Sequence, residues 1–331
     1  MQKTRRTFIK QAGLAAGASM FWLYGCGPGG QPKEAEQATN AATDTAKEMF
    51  FKISLAQWSL HKALFDKKID NLDFAGIARN TYGLDAVEYV NQFFKDKAKD
   101  AAYLAEMNKR AADNGVKQLL IMIDGEGGMA ETDAKKLNEA IENHKKWVDA
   151  AKILGCHSIR VNAFSSNPDP AAAASAAVEG LGKLGEYGAQ AGVNVIVENH
   201  GGFSSNGEWL SGVMKAINKP NVGTLPDFGN FCVKRDNKDG DPWGGPCIEE
   251  YDRYKGVAEM MPFAKGVSGK SHNFDENGNE TETDFVKMLQ IVKDAGYRGY
   301  IDVEYEGDQL SEDEGIRKTI ELLKRAGQQV G

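Results

Sequence analysis

From Phe50 onward the chain repeats one unit: a short apolar run, a longer stretch with helical spacing, then a residue that stops a helix. The apolar runs are 52–57, 85–90, 117–123, 157–162, 194–199, 222–227, 264–270 and 299–305. Between them, Leu137, Ile141, Val148, Ala151 and Leu154 fall close to one helix face, and so do Phe285, Met288, Leu289 and Val292. Five junctions place a glycine, at Gly83, Gly115, Gly155, Gly192 and Gly296, where a left-handed residue ends a helix before the next strand. Two others use Pro220 and Pro262, which also cannot continue a helix. Eight alternating units predict a (β/α)8 barrel. An open doubly wound sheet alternates in the same way, but no GxGxxG follows the first strand to support a dinucleotide version.

Barrels of this kind carry their chemistry at the C-terminal ends of the strands. There the fifth run ends in Val197-Glu198-Asn199-His200, the sixth in Pro226-Asp227-Phe228-Gly229-Asn230 and the eighth in Val303-Glu304-Tyr305-Glu306. The seventh run and the residues after it carry Ser268, Lys270 and His272 at alternate positions, on one face of an extended chain. Arg160 and Asn162 come from the fourth run and Glu88 from the second, while the first leads into Gln57-Trp58-Ser59-Leu60-His61. Carboxylates on buried strands are costly unless paired or bound to a cation. Three of them with an imidazole suit one divalent ion that prefers oxygen, Mn²⁺, Mg²⁺ or Co²⁺, with Zn²⁺ also compatible. A structural network of ion pairs with Arg160 and Lys270 is the alternative use of the same side chains.

The motifs VENHGG, PDFGN and VEYEG, at 197–202, 226–230 and 303–307, resemble those of the xylose isomerase-like barrel superfamily, and the resemblance runs over about residues 50–328. In the sugar-isomerising and epimerising members a Glu, an Asp, a His and a Glu from strands five to eight hold one divalent metal. Carried over by motif, these are Glu198, Asp227, a residue of the seventh strand and Glu304. The seventh strand departs from the family pattern His-x-Lys-Asp. Aligning the Lys puts Ser268 at the histidine position, which is also the depth that counting from the preceding helix stop favours. Aligning the histidine puts His272 there, ~13 Å further along an extended strand. His272 is taken as the ligand on chemical grounds, since serine is a poor one.

The resemblance further implies proton transfer beside a carbonyl, with Glu198 and Glu304 as the catalytic carboxylates. His61, Glu88, Arg160, Asn162, His200, Asn230 and Lys270 are the expected substrate contacts. Trp58, Phe203, Trp209 and Trp243 are candidates for an apolar floor under a sugar ring. Isomerisation or epimerisation of a non-phosphorylated sugar or keto-sugar is the first expectation. A lyase or dehydratase acting on a keto-sugar, inositol derivative or glycoside is the second, and a non-catalytic carbohydrate-binding barrel the third.

The N-terminus explains why phosphate is left out. Thr4-Arg5-Arg6-Thr7-Phe8-Ile9-Lys10 looks like a twin-arginine export signal, an apolar stretch runs from Ala12 to Tyr24, and Leu23-Tyr24-Gly25-Cys26 resembles a lipoprotein cleavage site. Residues 1–26 are therefore expected to be a signal, 27–49 a flexible polar tether and 50–331 the barrel, with a lipid on Cys26 holding a periplasmic protein to a membrane. Sugar phosphates belong mostly to the cytoplasm. The net charge of −7 over 331 residues, with no basic block beyond the first ten, argues against nucleic acid. Cys156, in an apolar segment, reads as a buried small hydrophobe. Cys232 and Cys247 bracket one loop, and the sequence leaves their pairing open. His144 and His157 read as structural, and Asp236–Asp241 and Asp275–Gly278 as turns rather than calcium loops. The oligomeric state is not legible.

Overall fold

The structure, a computed structural model, describes residues 48–236 and 244–331. The expected signal, nearly all of the tether, and residues 237–243 with Trp243 lie outside the described residues. Eight parallel strands alternate with helices, as the repeat predicts. They are β1 (Lys52–Ala56), β2 (Ala86–Val90), β3 (Lys117–Met122), β4 (Ser158–Val161), β5 (Asn194–Glu198), β6 (Val222–Leu225), β9 (Val267–Ser271) and β10 (Tyr300–Tyr305). An antiparallel hairpin, β7 (Cys232–Arg235) and β8 (Cys247–Glu250), is inserted after β6. The sheet runs β6-β5-β4-β3-β2-β1-β10-β9. Isolated parallel bridges, Thr224 with Ala264 and Asp227 with Ser268, join its two edges. The backbone bonds there are Lys265 N to Thr224 O at 3.0 Å, Ser268 N to Pro226 O at 2.9 Å and Phe228 N to Ser268 O at 3.1 Å. Joining the edges leaves no row of unpaired strand groups and closes a (β/α)8 barrel.

Local sequence sets the helix limits. Asp100, Asp133, Asp169, Asp252 and Asp284 each accept a backbone N–H at a helix start, and Ser311 forms a reciprocal capping box with Glu314. All five junction glycines have positive φ, from 63° at Gly115 to 80° at Gly296. The helices α4 (Ala134–Leu154) and α8 (Phe285–Asp294) bury the faces read from their spacing. Packed against the outer side of the strands, such faces form the main core. Each fully buried large aliphatic side chain there contributes roughly 1.5–3 kcal/mol. A separate apolar cluster, Ala56, Val90, Leu120, Met122, Ile196 and Leu225, fills the barrel interior. Its six members come from five of the eight strands, so it plugs the barrel and confines polar side chains to the layers beside and above it.

Cys232 and Cys247 form a disulfide, with Cα atoms 5.8 Å apart. It ties the two hairpin strands across 15 residues of sequence, a loop for which chain-entropy arguments give ~3 kcal/mol. Cys156 is buried and free, as expected. His144 is buried inside α4 with Nδ1 2.7 Å from Ala140 O, and His157 lies just before β4, at the end of the barrel away from the strand C-termini. Asp275 closes a turn by accepting from the N–H groups of Asn277 and Asn279, each at 2.8 Å. Among the described residues, no helix is long and apolar enough to cross a membrane.

Candidate active site

The motif residues meet where the strands end. β9 and β10 pair in register, so Ser268 lies beside Asp302 and Lys270 beside Glu304. The fully buried Lys270 ammonium sits 3.6 Å from Asp227 Oδ2, 3.6 Å from Glu304 Oε1, 4.0 Å from Glu198 Oε1 and 3.2 Å from Glu306 Oε2. Glu198, Asp227 and Glu304 each offer an oxygen within 4.8 Å of the other two, and all three are buried.

Each carboxylate is held by a neighbouring motif residue. Asn199 bridges two strand ends: its Oδ1 accepts from Asp227 N at 2.7 Å, and its Nδ2 donates to Asp227 O and Asn230 O, both at 3.0 Å. Asp227 Oδ1 accepts from the N–H groups of Gly229 and Asn230 at 2.8 Å each, an Asx-type turn that orients the side chain. Asn230 Nδ2 donates to Glu198 Oε1 at 3.0 Å. Arg160 Nε lies 2.8 Å from Glu198 Oε2 without being aligned to donate to it. Asp227 Oδ2 also has no hydrogen-bond partner. Ser268 Oγ donates to Glu304 Oε2 at 2.9 Å.

This crowding alters the charges. Burial, with Asp227 and Asp124 nearby, outweighs Arg160 and Lys270 and pushes Glu198 up to about 7. Burial likewise pushes Glu304 to about 7 and Asp227 to about 6, against the pull of Lys270. Burial opposes the Lys270 charge too, but Asp227, Glu304, Glu306 and Glu198 outweigh it and hold the ammonium protonated. Glu306 is also buried, yet Lys270 and His272 keep it below the ordinary carboxylate range. Burial and the cations Arg160 and Lys270 lower His200 to about 3, so its ring is neutral. Its Nδ1 lies 3.0 Å from Asn162 Oδ1, whose own Nδ2 donates to Asp124 Oδ1 at 2.8 Å. A carbonyl oxygen accepts, so Nδ1 carries the His200 proton. Asp124 is paired with Arg160 at 2.8 Å, which keeps it ionised despite burial.

Five carboxylates, Asp124, Glu198, Asp227, Glu304 and Glu306, thus face two fixed cations, Arg160 and Lys270. The negative surplus, and the trio's oxygens gathered within 4.8 Å of one another, fit a bound divalent cation.

A cavity of about 600 Å³ opens over this floor. Of the expected site residues, Arg160, Asn162, His200, Asn230 and Glu304 line it, together with Asp124 and Glu306. Five expectations need correction. His272 stands beyond the trio, its Nε2 3.8 Å from Glu306 Oε2 and its side chain 31% exposed. β9 stays extended to Ser271, so no bulge returns the imidazole to the carboxylates, and Ser268 holds the depth a fourth ligand would need. Glu88 does not reach the cavity. It is buried at the level of Ser54, which donates to its Oε1 at 2.8 Å, and burial pushes it up to about 7. His61 stands behind Trp58, ring on ring at 4.9 Å and 12°. Phe203 and Trp209 stack on each other at 5.8 Å away from the cavity, so of the described aromatic candidates Trp58 alone lines it. Lys270 lies beneath the cavity surface, bound to the carboxylates rather than presented to a ligand.

Asp124 and Glu306 were not among the expected site residues. Each follows an inward residue by two positions, Met122 and Glu304, and that alternation was the available signal.

The model of the family described as "xylose isomerase-like TIM barrel" matches residues 78–326. The chain belongs to this family. Two curated relatives share short stretches with it: the C-glycoside deglycosidase alpha subunit of Arthrobacter globiformis, 36% identical over 67 residues, and the 3'-dehydrocarminate deglycosidase alpha subunit of a Microbacterium species, 39% identical over 57. These stretches span 20% and 17% of this chain and only 19% and 16% of the relatives. Among solved structures, the IOLI protein with a bound zinc atom superposes with a TM-score of 0.63 at 15% identity, over 85% of this chain and 99% of that one. The 3-keto-D-glucoside 4-epimerase YcjR of E. coli gives 0.58 at 13%, over 83% and 99%. At such identities the superpositions show the fold of this family and nothing finer.

Proposed function

We propose that this protein is an enzyme that moves a proton at a carbon beside the carbonyl of a keto-sugar, as a sugar isomerase or epimerase. The observation that carries the reading is the buried trio of Glu198, Asp227 and Glu304 around Lys270, at the floor of a cavity that Glu304 lines. A divalent ion held by these three carboxylates would supply positive charge for an oxyanion developing on the substrate. Ser268, not His272, completes their surroundings in this reading.

The side chains divide the work by exposure. Glu304 reaches the cavity, where its carboxylate can take a proton from the substrate and return it. Glu198, pinned by Arg160 and Asn230, positions charge and does not line the cavity. Arg160, Asn162, Asn230 and neutral His200 offer hydrogen bonds to sugar hydroxyls, and Glu306 holds Lys270 in place. The inner wall is dense in hydrogen-bonding groups, which suits a polyol.

The short likeness to two deglycosidase subunits favours a second outcome for the same proton abstraction. On a keto-glycoside, the proton leaves the carbon between the carbonyl and the glycosidic carbon. The electron pair of that C–H bond forms a C=C bond, the glycosidic bond breaks with its electrons going to the aglycone, and the aglycone takes up a proton. No oxidant or reductant is consumed.

Incubating the full chain with keto-sugars and keto-glycosides in D₂O tests both readings by NMR. Deuterium entering beside the carbonyl with the skeleton intact is the result expected of an isomerase or epimerase, and release of the aglycone is that expected of the lyase. Neither exchange nor release with any of them would leave the carbohydrate-binding reading in its place.

The same reading has the chain exported and anchored through Cys26, which supports a substrate without phosphate. In a bacterial host fed radiolabelled palmitate, the wild-type chain is expected to take up label and Cys26→Ala none. Equal labelling of the two would sink the anchor.

A further inference from the structure

The cavity has two chemically different ends. Asp124, Arg160, Asn162, His200, Glu304 and Glu306 make the inner one polar. Trp58, two residues past β1, and Phe164, three past β4, add two aromatic rings to the lining. Trp58 follows β1 and Phe164 follows β4, three strands apart in an eight-membered ring, so the two rings come from nearly opposite sides of the mouth. The Trp58 ring is firmly held. Trp58 is backed by His61 at 4.9 Å, by the edge of Phe65 at 6.0 Å and by Phe93 at 6.1 Å, and His61 Nδ1 lies 2.7 Å from Trp58 O.

Phe164 is 38% exposed, yet its backbone is tied to the loop after β3: Ala130 N donates to Phe164 O at 3.1 Å and Met129 N to Asn162 O at 2.9 Å. That loop approaches so closely that a Cβ on Gly128 would lie 2.2 Å from Phe164 O, so only glycine fits there. A phenyl ring whose backbone is fixed at a cavity wall is placed to cover a flat apolar ligand. The cavity's volume of about 600 Å³ is in the range of drug-sized ligands rather than of a single small ring. The disulfide-tied hairpin adds Cys232 and Arg235 to the same wall, extending the cavity away from the carboxylates.

We propose that Trp58 and Phe164 form a subsite for an aromatic aglycone, so that the substrate is an aryl keto-glycoside with its sugar over Glu304 and its second ring at the mouth. This rests on the proton-transfer reading for the sugar end and names the substrate class for that site. It also explains why His61 and Phe65, which do not line the cavity, are packed around Trp58: they hold the indole in position.

Calorimetric titration of the full chain with phenyl β-D-glucopyranoside and methyl β-D-glucopyranoside tests the subsite, because the two differ only in the second ring. The phenyl compound is expected to bind at least tenfold more tightly. Trp58→Ala and Phe164→Ala are each expected to remove at least fivefold of that advantage while leaving the methyl compound within twofold. Equal binding of the two glucosides by the wild-type chain, a comparison that needs no variant, would overturn the subsite, as would an advantage that survives in both variants. Failure of the enzyme reading looks different. A phenyl preference in a protein that exchanges no deuterium keeps the subsite and removes the catalysis. Equal kcat/KM for phenyl and methyl keto-glucosides keeps the catalysis and removes the subsite.

Discussion

Glu304→Gln is expected to lower deuterium exchange into a keto-sugar, or aglycone release from a keto-glycoside, by roughly 10³-fold, the usual scale of a lost general acid–base group. The substitution keeps the shape of the side chain, and its amide can still accept the bond from Ser268 Oγ that Glu304 Oε2 accepts at 2.9 Å. What disappears is the ionisable carboxyl at the one member of the carboxylate trio that lines the cavity. Glu198→Gln separates position from chemistry. Glu198 lies under the surface against Arg160, so its loss is expected to raise KM and disturb the trio before it removes the proton carrier. Initial rates for the two variants, with circular dichroism to confirm folding, give the comparison. If Glu304→Gln keeps a tenth or more of wild-type exchange, Glu304 does not carry the proton.

Lys270→Met should give the largest change in stability. It fills similar volume but removes a buried ammonium that lies within 4.0 Å of four carboxylates. Leaving buried charges without their partner costs about 3–5 kcal/mol, on the order of 10 °C in Tm for a domain of this size. The sign with pH follows from the carboxyl groups. Glu198 and Glu304, at about 7, and Asp227, at about 6, lie above their ordinary values of 4.5 and 3.8. Folding therefore favours their protonated forms. Their contribution is fully present below about pH 4 and is lost as pH rises through 6 to 7. Without Lys270 the folded values rise further, so the Tm gap between variant and wild type is expected to be small at pH 5 and widest at pH 8. Thermal unfolding at both pH values measures it, and a gap independent of pH would rule out charge as its cause. Millimolar Mn²⁺ is expected to raise the Tm of the variant more than that of the wild type, because the ion no longer competes with an ammonium. A Tm unmoved by Mn²⁺ in both proteins would argue against the trio as a cation site.

The two experiments address different parts of one arrangement. Lys270 compensates the charge of the trio from below, and Glu304 presents that charge to the cavity above. A third layer lies deeper. Glu88 and Asp302 are fully buried, burial raises both, and Glu88 pushes Asp302 well above the ordinary carboxylate range, so this pair keeps a proton at neutral pH. Glu88 therefore acts on the site through charge and packing, not through contact with a ligand.

Much of this was legible in the linear chain because barrel architecture is periodic. A parallel strand buried on both faces needs a continuous apolar run, and a helix returning over it needs an apolar stripe and a stop. Those local needs wrote eight repeats and five glycine stops into the sequence. The rule that sites gather at strand C-termini then selected Glu198, Asp227, Arg160 and Glu304, and the structure brings these four together. Depth along the seventh strand was also countable, and it placed Ser268 beside Glu304, while the preference for an imidazole pointed past the strand end to His272.

Tertiary structure alone decided the rest. That Cys232 and Cys247 pair depends on a distance, and distance across a loop is not encoded in spacing. Whether a residue a few positions beyond a strand end faces the cavity or stands behind another ring depends on how that loop turns: Phe164 and Asp124 line the cavity, whereas His61 backs Trp58. Whether an acidic residue meets substrate or stays in the core depends on how far up its strand the apolar plug reaches, and that placed Glu88 below the cavity and Glu304 in it. The sequence determined which residues occupy the strand ends, because helix and strand periods are local. Their order of depth, and hence their division into charge holders, proton carrier and ligand contacts, was decided by packing between strands that lie far apart in the chain.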